Sequence, residues 1–221
     1  MPALTATADG AALLPQSCPA PGFGEVRLRI LLAGVCRTDV AAAEGRLGVV
    51  PGTVLGHELA AVVDALGDGA DPRLRGLRCT VHPRLPDGRF VGVHTDGGFA
   101  TWLCLPAAQI IVSPVGLDLR RLAFCEPVAA ALAVNRANLS PGVRVGMTGH
   151  GRIATLTARV LALSGHHLVE DGLPVDVLVH TAAEGLPVLD RVRRGGLIVA
   201  KSRPTGPVPV DLRAVVEREL R

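Results

Sequence analysis

Aromatic residues are nearly absent from this chain: no Tyr, one Trp and four Phe in 221 residues. With so few rings, the core must be built from Val, Leu, Ile and Ala. Lys and Arg are scattered and the net charge is only +3. The chain therefore has no basic stripe interleaved with aromatics, the footprint that nucleic-acid binding requires. No uncharged apolar run reaches ~18 residues, which excludes a membrane-spanning helix. No charged segment followed by an apolar one opens the chain, so no signal peptide is expected. The cysteines number five, at positions 18, 36, 79, 104 and 125, odd in count and irregular in spacing. That argues against a disulfide framework and for a reducing, cytoplasmic setting. Internal repeats and low-complexity segments are also missing.

What the chain does have is 48% hydrophobic residues with 26 Gly and 17 Pro, the composition of a turn-rich globular protein of one large or two small domains. Residues 1–24 show no clear periodicity. Val26 to Ile30 alternates apolar with basic, the pattern of a half-buried strand that continues to Val35. Further strands are expected at His57–Leu66, Leu77–His82, Phe99–Leu105 and Ile110–Val112, separated by Gly and Pro turns. Such a run of short strands suggests a small barrel-like β domain. From Leu119 to Leu139 the period becomes helical, and Pro127 inside it places Glu126 at a helix start. A strand at Val143–Thr148, a glycine turn, a helix at Ile153–Leu163, strands at Val175–His180 and Leu197–Ala200, and a short helix at Leu186–Val192 make the second half α/β. A terminal helix is expected at Leu212–Leu220. The fold class is thus α+β followed by α/β, with domains at 1–125 and 126–221.

The chemistry concentrates in Cys36-Arg37-Thr38-Asp39, in Gly56-His57-Glu58 and in Glu126-Pro127. A thiolate, an imidazole and a carboxylate suit a catalytic zinc, which takes three protein ligands and keeps a fourth position open. These motifs, in this order, resemble the zinc-dependent medium-chain alcohol dehydrogenases. The resemblance implies a GroES-like β-barrel domain followed by a Rossmann-like domain. It implies Cys36, His57 and Glu126 as zinc ligands, with Cys125 the rival of Glu126. It implies Thr38 as the group that takes and passes on the alcohol proton. Asp39 and Glu58 are implied to orient the ligands, and Arg37 to contact the cofactor pyrophosphate. Cys79, His82 and His94 fall where many relatives carry a structural zinc lobe, and here they are expected to lie in ordinary strands and loops.

Gly149-His150-Gly151-Arg152-Ile153-Ala154 follows a strand and opens a helix, in the form of a dinucleotide-binding turn. Gly149 and Gly151 allow the tight turn and Ala154 lets helix and strand approach. Glu170 and Asp171 stand where an acidic residue would bind the adenosine ribose and favour NAD. Only Gly172-Leu173-Pro174 then precede Val175. Three or four residues span at most ~13 Å, less than the ~17 Å return along a five-residue strand. His167–Glu170 and Val175–His180 therefore cannot be parallel neighbours. They form either a return loop or an antiparallel hairpin. The Rossmann-like domain is expected to be shortened here and after Leu220, so that NAD(H) binds weakly.

The leading expectation is an oxidoreductase moving a hydride between a small alcohol or carbonyl and NAD(H) with Zn2+. The alternatives are a non-redox zinc enzyme, acting as lyase, hydratase or isomerase, and an inactive remnant serving as a binding module. No nucleic-acid or membrane partner is expected, and a homodimer is, because a shortened sheet leaves an edge to cover.

Overall fold

The computed structural model describes residues 1–170, 172–182, 189–202, 204 and 206–221. The chain divides into two compact units, Met1–Glu126 and Pro127–Arg221.

The N-terminal unit opens with a hairpin of β1 (Pro2–Thr7) and β2 (Gly10–Pro15). This hairpin lies in the stretch expected to lack regular structure. Its buried positions are Ala3, Thr5, Ala6 and Gly10, residues too small or too polar to mark an alternation. The main sheet is antiparallel, in the order β6-β3-β4-β5-β7, with β3 (Glu25–Gly34), β4 (Glu58–Leu66), β5 (Arg78–Val81), β6 (Trp102–Pro106) and β7 (Ile110–Val112). It is open, with β6 and β7 as its outer strands, rather than closed into a ring of hydrogen bonds. On the side of β6, isolated bridges Ala3–Ala100 and Thr5–Val54 tie the hairpin to neighbouring loops. Along β3, Val26 and Leu28 are fully buried while Arg29 is exposed, the in–out alternation of a strand with one face on a core. That core is aliphatic: Val26, Leu28, Leu59, Val63, Val81, Leu103 and Leu105 meet in it, with Cys79 among them.

Beyond β3 the chain turns into α1 (Arg37–Ala43). Asp39 accepts a hydrogen bond from the Cys36 N–H at 2.7 Å, satisfying one of the open donors at the helix start. The helical region after residue 118 is three pieces, α2 (Leu119–Ala123), α3 (Cys125–Leu132) and a 3-10 segment at Ala133–Ala137. Asp118 caps α2 by accepting from the N–H groups of Arg120 and Arg121. Pro127 sits in the first turn of α3, where its missing N–H costs nothing.

The C-terminal unit is a parallel sheet in the order β8-β9-β10, with β8 (Val145–Thr148), β9 (Val175–His180) and β10 (Val192–Ala200). α4 (Arg152–Leu163) packs on it through Val160 and Leu161, against Val145, Val177 and Val179. Leu168 makes a parallel bridge to Val145, and the Val169 N–H donates to the Val145 carbonyl at 2.9 Å. This segment lies across β8 from β9. It is therefore a return loop, and the antiparallel hairpin does not form. The helix expected at Leu186–Val192 is corrected at its described end: Leu189–Arg191 is a single tight 3-10 turn, and Val192 already pairs with Val175 as the first residue of β10. Val192 is wholly buried with Val175 and Leu178, and that burial decides its state. Residues 183–188 lie outside the described residues. The terminal helix α5 (Leu212–Glu217) is shorter than expected. After it, Arg218 and Arg221 exchange backbone hydrogen bonds with Gly195, Gly196 and Ile198 along the edge of β10.

Candidate metal centre and dinucleotide turn

The metal-capable group begins where β3 ends and β4 starts. Gly34 pairs with Glu58 across the β3–β4 ladder, so the ends of these strands bring Cys36 beside His57 and Glu58. One ligand atom from each of Cys36, His57 and Glu58 lies within 4.8 Å of the others. Cys36 is half-buried, and His57 and Glu58 are almost fully buried. A sulfur, a nitrogen and a carboxylate oxygen this close, in a site this dry, form a donor set of the kind zinc takes. Glu126 stands half-buried in the first turn of α3, outside this compact set.

Asp39 does two things. Its Oδ2 holds the Cys36 backbone, and its Oδ1 lies 3.3 Å from His57 Nδ1. The carboxylate thus fixes the ring from behind and leaves Nε2 as the nitrogen for a metal, an arrangement typical of ligating histidines. Burial lowers the His57 imidazole, but the close Asp39 carboxylate and Cys36 sulfur outweigh it and raise the group to about 10. The Cys36 thiol donates toward Thr38 Oγ1 at 3.6 Å, so the half-buried Thr38 hydroxyl borders the donor set. Arg37 is exposed at the first position of α1.

Two contributors escaped the sequence reading. Phe90 packs edge-on against the His57 ring, with centroids 5.2 Å apart. Gly34 is the other: a methyl group there would stand 2.5 Å from Glu58 Oε2. Neither carries a motif, since each matters only through a neighbour distant in sequence. Of the residues expected to lie outside a second metal site, Cys79 is in the core of β5, His82 Nδ1 is 2.8 Å from the Arg84 carbonyl, and His94 Nδ1 accepts from the Phe90 N–H.

In the C-terminal unit, the chain leaves β8 at Gly149 with φ +92° and enters α4 through Gly151 with φ +95°. A side chain at Gly149 would meet Thr181 Oγ1 at 2.5 Å and the Ala182 nitrogen at 2.6 Å, whereas Gly151 faces open space. The two glycines therefore serve different ends: the first lets two strand ends approach, the second leaves the mouth of α4 clear. Ala154 is 4% exposed, a small residue where helix and sheet meet. Leu168 lies on one side of β8 and β9 on the other, so the strand order reverses here. That makes the ends of β8 and β9 the switch point where open α/β sheets bind ligands. Thr148 Oγ1 lies 2.8 Å from His180 Nδ1, and Thr181 Oγ1 donates to the Thr148 carbonyl at 2.8 Å, which ties the two ends together. Glu170 is exposed, and Asp171 lies outside the described residues.

Residues 22–115 match the alcohol dehydrogenase GroES-like domain. The chain belongs to the zinc-dependent medium-chain alcohol dehydrogenase family. Among curated relatives of this family, L-galactonate-5-dehydrogenase of Escherichia coli is 31% identical over 194 residues, covering 79% of this chain and 57% of the relative. The chain spans about half the length of the curated relatives it matches, between 43 and 57% for four of them. Among solved structures, a zinc-binding dehydrogenase of Sinorhizobium meliloti 1021 bound to NADP superposes with a TM-score of 0.86 at 23% identity, covering 100% of this chain and 82% of the other. A short chain alcohol dehydrogenase of Escherichia coli CFT073 complexed with NADH gives 0.87 at 21% identity, with 100% and 81% covered. At those identities the likeness is one of fold.

Proposed function

We propose that the chain is a zinc-dependent oxidoreductase that moves a hydride between a small alcohol or carbonyl compound and NAD(H). The observation that carries this reading is the compact set of Cys36, His57 and Glu58 donors, bordered by the Thr38 hydroxyl. Cys36, His57 and Glu58 would hold the metal, and Glu126, the carboxylate expected from the family pattern, is the competing ligand. Zinc bound there would supply Lewis acidity, polarising a carbonyl or easing proton loss from an alcohol. Thr38 would take the alcohol proton and pass it outward. Asp39 keeps His57 oriented through its 3.3 Å approach to Nδ1. The clear mouth of α4 at Gly151, with backbone N–H groups aimed outward, suits a pyrophosphate. Arg37 is left available for a phosphate, and Glu170 for the adenosine ribose.

The Escherichia coli relative named for L-galactonate puts polyhydroxylated acids and alcohols first in a substrate panel. The decisive experiment loads the protein with zinc, adds millimolar NAD and that panel, and follows nicotinamide reduction. Turnover that disappears in Cys36→Ser and Thr38→Val is the expected result. A zinc-loaded protein with no turnover on the panel would reject the hydride reading in favour of non-redox zinc chemistry.

Assembly as a homodimer is proposed, but Arg218–Arg221 of the same chain already cover the edge of β10 along residues 195–198, so the partner would pair elsewhere. A single monomer species in sedimentation at micromolar concentration would reject it. All five cysteines are free thiols, in keeping with a reducing, cytoplasmic setting. Among the described residues no helix is long and apolar enough to cross a membrane.

A further inference from the structure

Two thiols, Cys18 and Cys104, flank the guanidinium of Arg27. In the β3–β6 ladder Cys104 is paired directly with Arg27, and cross-strand partners raise their side chains from the same face of a sheet. The Arg27 guanidinium is held in place: Nε and Nη2 donate to Asp64 Oδ2 at 2.9 and 2.6 Å, and the group lies 5.0 Å from the Trp102 ring centroid. From that fixed position Nη1 donates to Cys18 Sγ at 3.5 Å and to the Pro19 carbonyl at 3.3 Å. One arginine therefore anchors the segment carrying Cys18 over the strand carrying Cys104.

A second observation agrees. A cleft of about 150 Å³ is lined by Gln16, Ser17 and Pro19 together with Trp102, Leu103 and Cys104, so the residues on either side of Cys18 share one cleft with Cys104. Cys18 is exposed, Cys104 is half-buried, and both are free. The Cys104 thiol is pushed up to about 11 by burial first, then by Glu25 and by Cys18 itself, with Arg27 opposing. Cys104 thus lies within electrostatic reach of Cys18.

We propose that Cys18 and Cys104 are a reversible redox pair that closes into an intrachain disulfide on reaction with a small disulfide such as glutathione disulfide. The accessible Cys18 sulfur attacks one sulfur of the reagent. The reagent's S–S bond breaks, a Cys18 mixed disulfide forms, and one thiol leaves with the Cys18 proton. Cys104 then attacks the Cys18 sulfur, the mixed disulfide breaks, the Cys18–Cys104 bond forms, and the second thiol leaves with the Cys104 proton. Two protein thiols are oxidised and one small disulfide is reduced to two thiols. The product ties the segment that leaves β2 to the edge strand β6. None of this passes through zinc or NAD.

The test uses the full chain, zinc-loaded and freed of reductant. It is exposed to glutathione disulfide, quenched in acid, alkylated and mapped by mass spectrometry after digestion. The expected result is a linked Cys18–Cys104 peptide pair that disappears on adding excess reduced glutathione. Cys104→Ser should stop at the Cys18 mixed disulfide, and Cys18→Ser should leave Cys104 unmodified. Wild-type protein that ends as a stable Cys18 mixed disulfide with Cys104 still alkylated would overturn the proposal. So would Cys18 joined to a second copy of the chain, or no reaction at Cys18.

Discussion

Gly34 shows how a residue with no chemistry of its own can control a site. It pairs with Glu58, and a methyl group there would overlap the Glu58 carboxylate at 2.5 Å. A carboxylate at the end of a flexible side chain can move aside, so Gly34→Ala should fold. The moved carboxylate should weaken zinc binding by roughly 10- to 100-fold, the usual cost of disturbing a ligand's support. Zinc competition with a chelator checks this, and unchanged affinity would mean that Glu58 does not meet the metal. In the same assay Glu58→Gln should lose more zinc than Glu126→Gln, because Glu58 belongs to the compact set. A second prediction at this scale concerns thiol reactivity. Burial pushes the Cys79 thiol up to about 12. At pH 8 it should be only about one part in ten thousand thiolate. Native-state alkylation should therefore modify the exposed Cys18 and leave Cys79 untouched until the protein is denatured. Modification of both at similar rates would contradict the buried position of Cys79.

At the scale of elements, the turn between β8 and α4 carries the sharpest contrast. Gly149 and Gly151 both have positive φ, but only Gly149 is also crowded, by Thr181 and the Ala182 backbone. Gly151 adopts φ +95° and ψ −171°, a region close to glycine-only that costs another residue about 1–3 kcal/mol. Gly151→Ala should lower stability by that amount, and Gly149→Ala by more, because the clash with backbone adds to the same strain. Denaturant titration measures both, and equal losses would mean that the Thr181 contact is not there. The glycine turn itself was legible, because it depends on a strand, a tight turn and a helix that follow one another along the chain. The β1–β2 hairpin was not, because Ala and Thr at its buried positions hide the alternation. The start of β10 was also hidden. Val192 looks helical beside Leu189, and only burial against Val175 and Leu178 makes it a strand.

For the whole molecule, the cofactor side of the C-terminal unit bears on affinity. Next to β8 on its far side the described residues supply the Leu168 bridge, where a Rossmann domain would place a full strand. The pyrophosphate turn remains, and helix N-termini contribute up to ~2 kcal/mol in favourable sites. Each tenfold loss in affinity needs only ~1.4 kcal/mol, so we expect NAD to bind with a Kd of order 0.1–1 mM. Calorimetry giving a micromolar Kd would show that other parts of the protein rebuild the adenosine pocket. The sequence alone determined the Cys36–Asp39 and Gly56–Glu58 motifs, the aliphatic core, the alternating strands, the helix start around Glu126 and Pro127, and the loss of a parallel return before Val175. Each of these follows from local backbone chemistry or from the reach of a few residues. Only the tertiary structure decided that Glu58 meets Cys36 and His57, that Phe90 backs the imidazole, that Leu168 lies across β8 from β9, and that Cys18 and Cys104 share Arg27. These depend on which strands pair and in what register, and a one-residue shift in register would turn every such side chain to the other face.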